Sequence, residues 1–297
     1  MHPLKSKAAV MNSDLKKIHA YLNDVAHRAN AINSQSVDEV EQHLKRIKDI
    51  SVLNADQDAA KLVWCYEQIL KIQQNYLQAF DDLKSGKFYG AWCLFERVEI
   101  ELHHLERHLS ISNGSYGLEF IHKHTKQYQS LYPYSYFFSP GYLILEAKCS
   151  VCGQQRSVRN SCGHVVGEIY DGEMCCREII RADFLEISLV KNPAQKYSVP
   201  FTNDPETGEQ TDQYDYSSVS YVVKGLRGPF VAWGIERTLR RHPHSRYRGV
   251  GRNDKCPCES AKKYKSCCLK ESGVLRPHIE ILFTEAPPSD LPPIIYT

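Results

Sequence analysis

Through the first 130 residues, apolar side chains recur every three or four positions, the spacing of helices that turn one face inward. Leu15, Ile18, Leu22, Val25 and Ala29 mark a helix over 14–31. Val40, Leu44 and Ile47 mark another over 37–50, with Ser36 placed to cap its N-terminus. A longer helix is predicted over 56–83, its stripe formed by Leu62, Tyr66, Ile69, Ile72, Tyr76, Phe80 and Leu83 and its end set by Ser85-Gly86. The most regular period belongs to Phe88, Ala91, Phe95, Val98, Leu102, Leu105 and Leu109. It describes the seam of a bundle or an antiparallel helical hairpin. A shorter helix is expected over 116–129.

The pattern changes near Leu131. The run from Tyr132 to Gly141 is aromatic and contains two prolines, so it cannot be the interior of a helix. Beyond it the signals are strands, expected over 142–147, 167–170, 174–181, 184–190 and 217–223. Asp171-Gly172 supplies a two-residue hairpin turn between two of them. The polar, acidic stretch 202–215, with Pro205 and Gly208, reads as an exposed loop. Ile279 to Phe283 adds a last strand within a proline-rich tail.

Composition is that of an ordinary soluble chain, with 42% hydrophobic and 24% charged residues and a net charge of +2. The charge is unevenly spread. Between Lys224 and Lys270 thirteen Lys and Arg face three acids, Glu236, Asp254 and Glu259, and such a block suits an acidic partner. The N-terminal residues lack the apolar core of a secretion signal, and no apolar run approaches the ~18 residues of a membrane span. A cytoplasmic chain is therefore expected, and in a reducing compartment its 11 cysteines read as metal ligands or buried thiols before disulfides. Nine of the eleven lie in three tight groups between Cys149 and Cys268, which favours ligands; Cys65 and Cys93 fall on helical stripes and read as core thiols.

Cys256-Pro-Cys258, eight residues, then Cys267-Cys268 offers four soft ligands around a short loop, the set a structural zinc ion requires. Lys262, Lys263 and Lys265 lie between the pairs and can offset the negative charge of four thiolates on Zn²⁺. The run Gly251-Arg-Asn-Asp-Lys-Cys-Pro-Cys-Glu-Ser-Ala-Lys-Lys-Tyr-Lys-Ser-Cys-Cys resembles the SEC-C motif, the small zinc tail of the bacterial SecA translocase motor and of many unrelated proteins. It departs from that pattern at Glu259 and Ala261, where glycines are common. The resemblance implies an attachment device: a docking patch for an acidic export chaperone, or a ribosome contact.

A second zinc site is expected from Cys149-Ser-Val-Cys152-Gly, the form of a metal knuckle, completed by Cys162 and His164, with Cys175 or Cys176 as competing ligands. A short loop closes at low entropic cost, and Gly163 relieves the tight chelate between Cys162 and His164. The stretch from Cys149 to Ala194 also resembles zinc-bearing segments of tailed-phage head-assembly proteins, which supports the same two ligands.

These features predict an α+β chain in four parts: an N-terminal helical bundle or hairpin domain over 1–130, a strand-rich zinc-containing domain over 131–235, a basic linker with a small C-terminal zinc finger over 236–270, and a proline-rich tail over 271–297. The function expected is a zinc-binding adaptor without catalysis of its own. Its partner-binding residues would be Lys262, Lys263, Lys265, Arg240, Arg241, Arg246 and Arg248, and its partner an acidic protein surface, a ribosome or RNA. Arginines beside Tyr247 and histidines also suit RNA contact directly, so a purely RNA- or ribosome-binding protein is one alternative. The other is an RNA-cleaving effector of a prokaryotic defence or toxin system. It rests on a resemblance of Arg97 and His103, on one helix, to the Arg and His of helical HEPN ribonucleases.

Overall fold

The computed structural model describes residues 3–291 except 30–33, 113, 158 and 160, and for 3–12, 28 and 34–36 it describes the backbone alone. The helices are α1 (Pro3–Asn23), α2 (Val25–Arg28), α3 (Ser34–Leu53), α4 (Gln57–Lys84), α5 (Phe88–Leu105), α6 (Leu118–Gln129) and α7 (Ser217–Gly225). The strands are β1 (Phe137–Cys149), β2 (Ile169–Tyr170), β3 (Glu173–Met174), β4 (Arg177–Val190), β5 (Thr202–Asn203), β6 (Gln210–Thr211), β7 (Trp233–His242) and β8 (Val274–Phe283). Each strand pairs with one other, so the sheets are four antiparallel ribbons: β1 with β4, β2 with β3, β5 with β6 and β7 with β8. Together these make an α+β chain. Val231–Pro287 forms a compact unit apart from the rest. No helix among the described residues is long and apolar enough to cross a membrane.

The larger unit is built on α4. The Asp56 carboxylate accepts the N–H of Ala59 at 3.0 Å and starts the helix, and Gly86, at φ 76°, ends it in the left-handed region. Buried side chains occur at consecutive positions, Val63 to Tyr66 and Gln68 to Leu70, so α4 needs cover on more than one side. It receives it from α1, α3, α5, α6 and α7. Two side chains taken into this core are anchored to backbone carbonyls. Gln73 donates from Nε2 to the carbonyls of Leu22 and Tyr116 at 2.8 and 2.9 Å, and the Tyr76 hydroxyl donates to that of Pro229 at 2.9 Å.

Several expectations need correction. Residues 217–223 form α7 and not a strand. Val219, Val222 and Val223 are buried, and Asp215 accepts the N–H of Ser217 at 2.8 Å at the start of the helix. The short valine run fits either period, and packing against α4 selects the helix. The strands expected over 174–181 and 184–190 are largely one strand, β4, which crosses the polar Asp183 and absorbs register shifts against β1 as bulges. The helix expected from 116 begins at Leu118, because Tyr116 is left-handed at φ 58°. Of the α4 stripe, Leu62 is exposed.

Gln73→Leu removes the donor that both buried carbonyls share. The variant should lose about 1–3 kcal/mol of stability, measured by urea unfolding followed at the helical circular-dichroism band.

Candidate metal centres

β7 and β8 pair without interruption from Trp233↔Phe283 to His242↔Val274, and residues 243–273 form an excursion at the tip of that ribbon. Gly273 opens the return strand, where a Cβ would lie 2.4 Å from the His242 carbonyl oxygen, so no side chain fits. Within the excursion the sulfurs of Cys256, Cys258, Cys267 and Cys268 all lie within 4.8 Å of one another. Cys258 and Cys267 are 3.5 Å apart and Cys267 and Cys268 3.9 Å. Sulfurs ~2.3 Å from a tetrahedral zinc stand about 3.8 Å apart, so this donor set fits such an ion.

The cage rests on a small core. Tyr264 and Val274 are buried beside Cys256 and Cys268, with Tyr247, Val250 and Leu275 packed around them. The Tyr264 hydroxyl and His244 Nδ1 are 2.6 Å apart, and His244 Nε2 lies 2.8 Å from the Glu271 carbonyl. A neutral imidazole fits both, with Nε2–H donating to the carbonyl and the phenol donating to Nδ1. Arg276 donates to the Pro257 carbonyl at 2.7 Å and pairs with Glu259, tying the first cysteine turn to β8. Glu259 and Ala261, the two departures from the motif, are both left-handed, at φ 63° and 61°. The loop keeps a shape that glycine adopts at lower cost. The Ser260 hydroxyl and Cys256 hold the Cys258 thiol down to about 6, while burial pushes Cys268 up to about 12.

A second donor group lies at the tip of the other long ribbon. Cys149 is the last residue of β1, and the turn after it folds back as the Gly153 N–H donates to the Cys149 carbonyl at 2.9 Å. Gly153 is left-handed at φ 70°, as the knuckle requires. The N–H groups of Cys152 and Val151 point at the Cys149 sulfur and hold its thiol down to about 6. The donor atoms of Cys149, Cys152, Cys162 and His164 all lie within 4.8 Å of one another. His164 Nδ1 is buried without a hydrogen-bond partner, an orphan that a metal ion would satisfy. Its ring packs edge-on against Tyr170 at 4.7 Å. Cys175 is buried with its sulfur 3.8 Å from that of Cys149, but it lies outside the four-donor group, as does Cys176.

Gln57, Lys48, Arg107 and His108, which secure this module, carry no local signal in the sequence. The β2–β3 hairpin turns at Asp171 and Gly172, φ 50° and 71°, the two left-handed residues of a type I′ turn. Gln57 of α4 bonds both the backbone N–H and the carboxylate of Asp171. Lys48 of α3 bridges Glu67 at 2.6 Å and Glu173 at 2.9 Å. His108 Nε2 meets the Gly167 carbonyl at 2.8 Å, and Arg107 reaches that of Val166 at 3.3 Å. These contacts moor the donor group to the helices.

The other predicted residues are more dispersed. Arg97 and His103 are both exposed on α5, and no hydrogen bond or ion pair among the described residues joins them. Arg240, Arg241, Arg246, Arg248, Lys262 and Lys263 are exposed, and Lys265 is half-buried. Of these, Arg241 is ion-paired, to Glu271 at 3.2 Å. Along the β7–β8 ribbon, charges of one sign stand opposite each other: Glu236↔Glu280 nearer Trp233 and Arg240↔Arg276 nearer the cysteines.

A family model for the SEC-C motif matches residues 252–270, and this chain carries that motif there. The segment is similar to the protein translocase subunit SecA of Clostridium tetani, 50% identical over 38 residues, which are 13% of this chain and 4% of that protein. It is similar too to the SecA subunit of Thermodesulfovibrio yellowstonii, 56% identical over 32 residues, 11% of this chain and 4% of that protein. The chain thus spans about 4% of the length of these relatives. No solved structure matches the chain.

Two measurements follow from the geometry. Ala261→Gly relieves a left-handed alanine and should slow metal loss to a chelator by a few-fold, equivalent to about 1 kcal/mol. In zinc titrations, Cys152→Ser should lose one bound ion per chain, whereas Cys175→Ser should keep the full complement; loading of either site should weaken as pH falls, because the ligands must be deprotonated.

Proposed function

We propose that this chain is a zinc-binding adaptor whose SEC-C finger docks an acidic partner. One Zn²⁺ is held by Cys256, Cys258, Cys267 and Cys268, and a second by Cys149, Cys152, Cys162 and His164. Both sites use four protein ligands, which leaves no open position for a substrate and suits structural ions. The observation that carries the reading is the exposed cationic surface around the finger: Lys262 and Lys263 on the loop between the cysteine pairs, and Arg240, Arg246 and Arg248 on the strand and turn leading into it. Neither lysine nor Arg248 makes an ion pair among the described residues. Their charge is left for an acidic chaperone, a ribosome or RNA, as the docking role implied by the motif requires.

The cations do not depend on one another for the fold, so charge and metal can be separated. A Lys262→Glu, Lys263→Glu, Arg248→Glu variant and a Cys267→Ser, Cys268→Ser variant would each be used to capture partners from host lysate, with and without ribonuclease. The charge variant is expected to retain both zinc ions and lose the partner, and raised salt should release the partner from the wild type. Loss of the partner after ribonuclease identifies RNA or ribosomes; persistence identifies a protein. If the charge variant captures what the wild type captures, the docking reading fails.

A further inference from the structure

The β1–β4 ribbon has two unlike faces. On one, ions pair across the strands, Glu146 with Arg181 at 2.7 Å and Lys148 with Glu178 at 3.1 Å. Alternation places the pairs Phe138↔Leu189, Pro140↔Ile187, Tyr142↔Phe184 and Ile144↔Ala182 on the other. Tyr142 and Phe184 meet edge to face there, with centroids 5.8 Å apart. This second face is uncharged and uncovered: Phe138, Tyr142, Ile144, Phe184, Ile187 and Leu189 are each between 39% and 62% exposed. Half-buried antiparallel strands show polar residues to water and apolar ones to a packed layer, and here the packed layer is missing.

The face is preformed. At its base Phe137 stacks on Trp92, 6.0 Å between centroids, and at its tip the Cys149 module is moored to α3, to α4 and to His108 in the turn after α5. Edge pairing is hindered. The Phe138 N–H is taken by the Ser198 carbonyl and the Ala147 carbonyl by the Arg156 N–H, both at 2.8 Å, and the β4 register is broken by bulges. The broad face is what remains open.

We propose that a second copy of this chain covers it, ribbon face against ribbon face, about a two-fold axis that crosses the ribbon at Tyr142 and Phe184. Area and shape both fit. Half-exposed side chains of this size leave about 100 Å² each, hence roughly 800 Å² per copy with their neighbours, the contribution of one partner to a stable interface. An isologous interface must also complement itself. The two-fold sets Ile187 over Ala182 of the second copy and Pro140 over its Ile144, so a large side chain meets a small one on the β4 track. The absence of charge on the face gives an acidic partner nothing to grip.

Sedimentation equilibrium of the zinc-loaded full chain across the micromolar range is expected to give twice 34.1 kDa. Phe184→Glu with Ile187→Glu should give the single mass, with zinc content and helical signal unchanged, whereas Asp183→Lys on the opposite face should remain a dimer. Tyr142→Cys, on the axis, should cross-link copy to copy on mild oxidation, and Phe138→Cys, off the axis, should not. A wild type of single mass throughout overturns the proposal, including the case where Phe184 and Ile187 amides are protected from exchange by another part of the same chain. A double variant that stays dimeric, or cross-linking through Phe138→Cys alone, overturns it as well.

Discussion

The larger unit depends on the need to cover α4. Its 28 residues bury side chains around most of the helix circumference, and a helix apolar on many sides is stable only when other elements surround it. That demand reaches far along the chain. α6 and α7 both pack on α4, so everything between Gln129 and Ser217 is an excursion whose two ends are held by one helix. The β1–β4 ribbon and its cysteine tip belong to that excursion, and Lys48, Gln57 and His108 fix its far end to the same bundle. Burial on α4 thus sets where the Cys149 group sits, although no ligand lies on that helix.

The smaller unit follows another logic. It has no long helix, and its buried centre consists of Cys256, Tyr264, Cys268 and Val274. A unit this small buries too little apolar surface to hold a loop by packing alone. Half of its centre is cysteine, and a metal ion held by those sulfurs would do what a larger core does elsewhere. The two donor groups share an architecture: each closes the end of a two-stranded ribbon and is framed by hydrogen bonds and left-handed residues, Gly153 and Gly163 in one, Glu259 and Ala261 in the other.

Much of this was legible in the sequence. The three-and-four spacing located the long helices, because amphipathic periodicity is written locally. Cysteine spacing singled out both groups whose donor atoms the fold brings within 4.8 Å, since chelation by near neighbours is also local. The misreading of Ser217–Val223 has the opposite cause: a short valine run fits two periods, and only α4, distant in sequence, chooses between them. The continuity of β4 through Asp183 depends on pairing with β1, and the moorings at Gly167 and Val166 use backbone carbonyls, which leave no trace in residue identity.

The like-signed pairs along β7 and β8 cost the ribbon some stability where they face each other. They also give it polarity. Glu236 and Glu280 stand toward the Trp233 end, and Arg240 and Arg276 toward the cysteines, so potential rises along the strand axis. A polyanion that comes within the Debye length, about 8 Å in physiological salt, is pushed from one end and pulled to the other. The ribbon's field therefore has a direction as well as a magnitude, set by where the like-signed pairs fall along its axis.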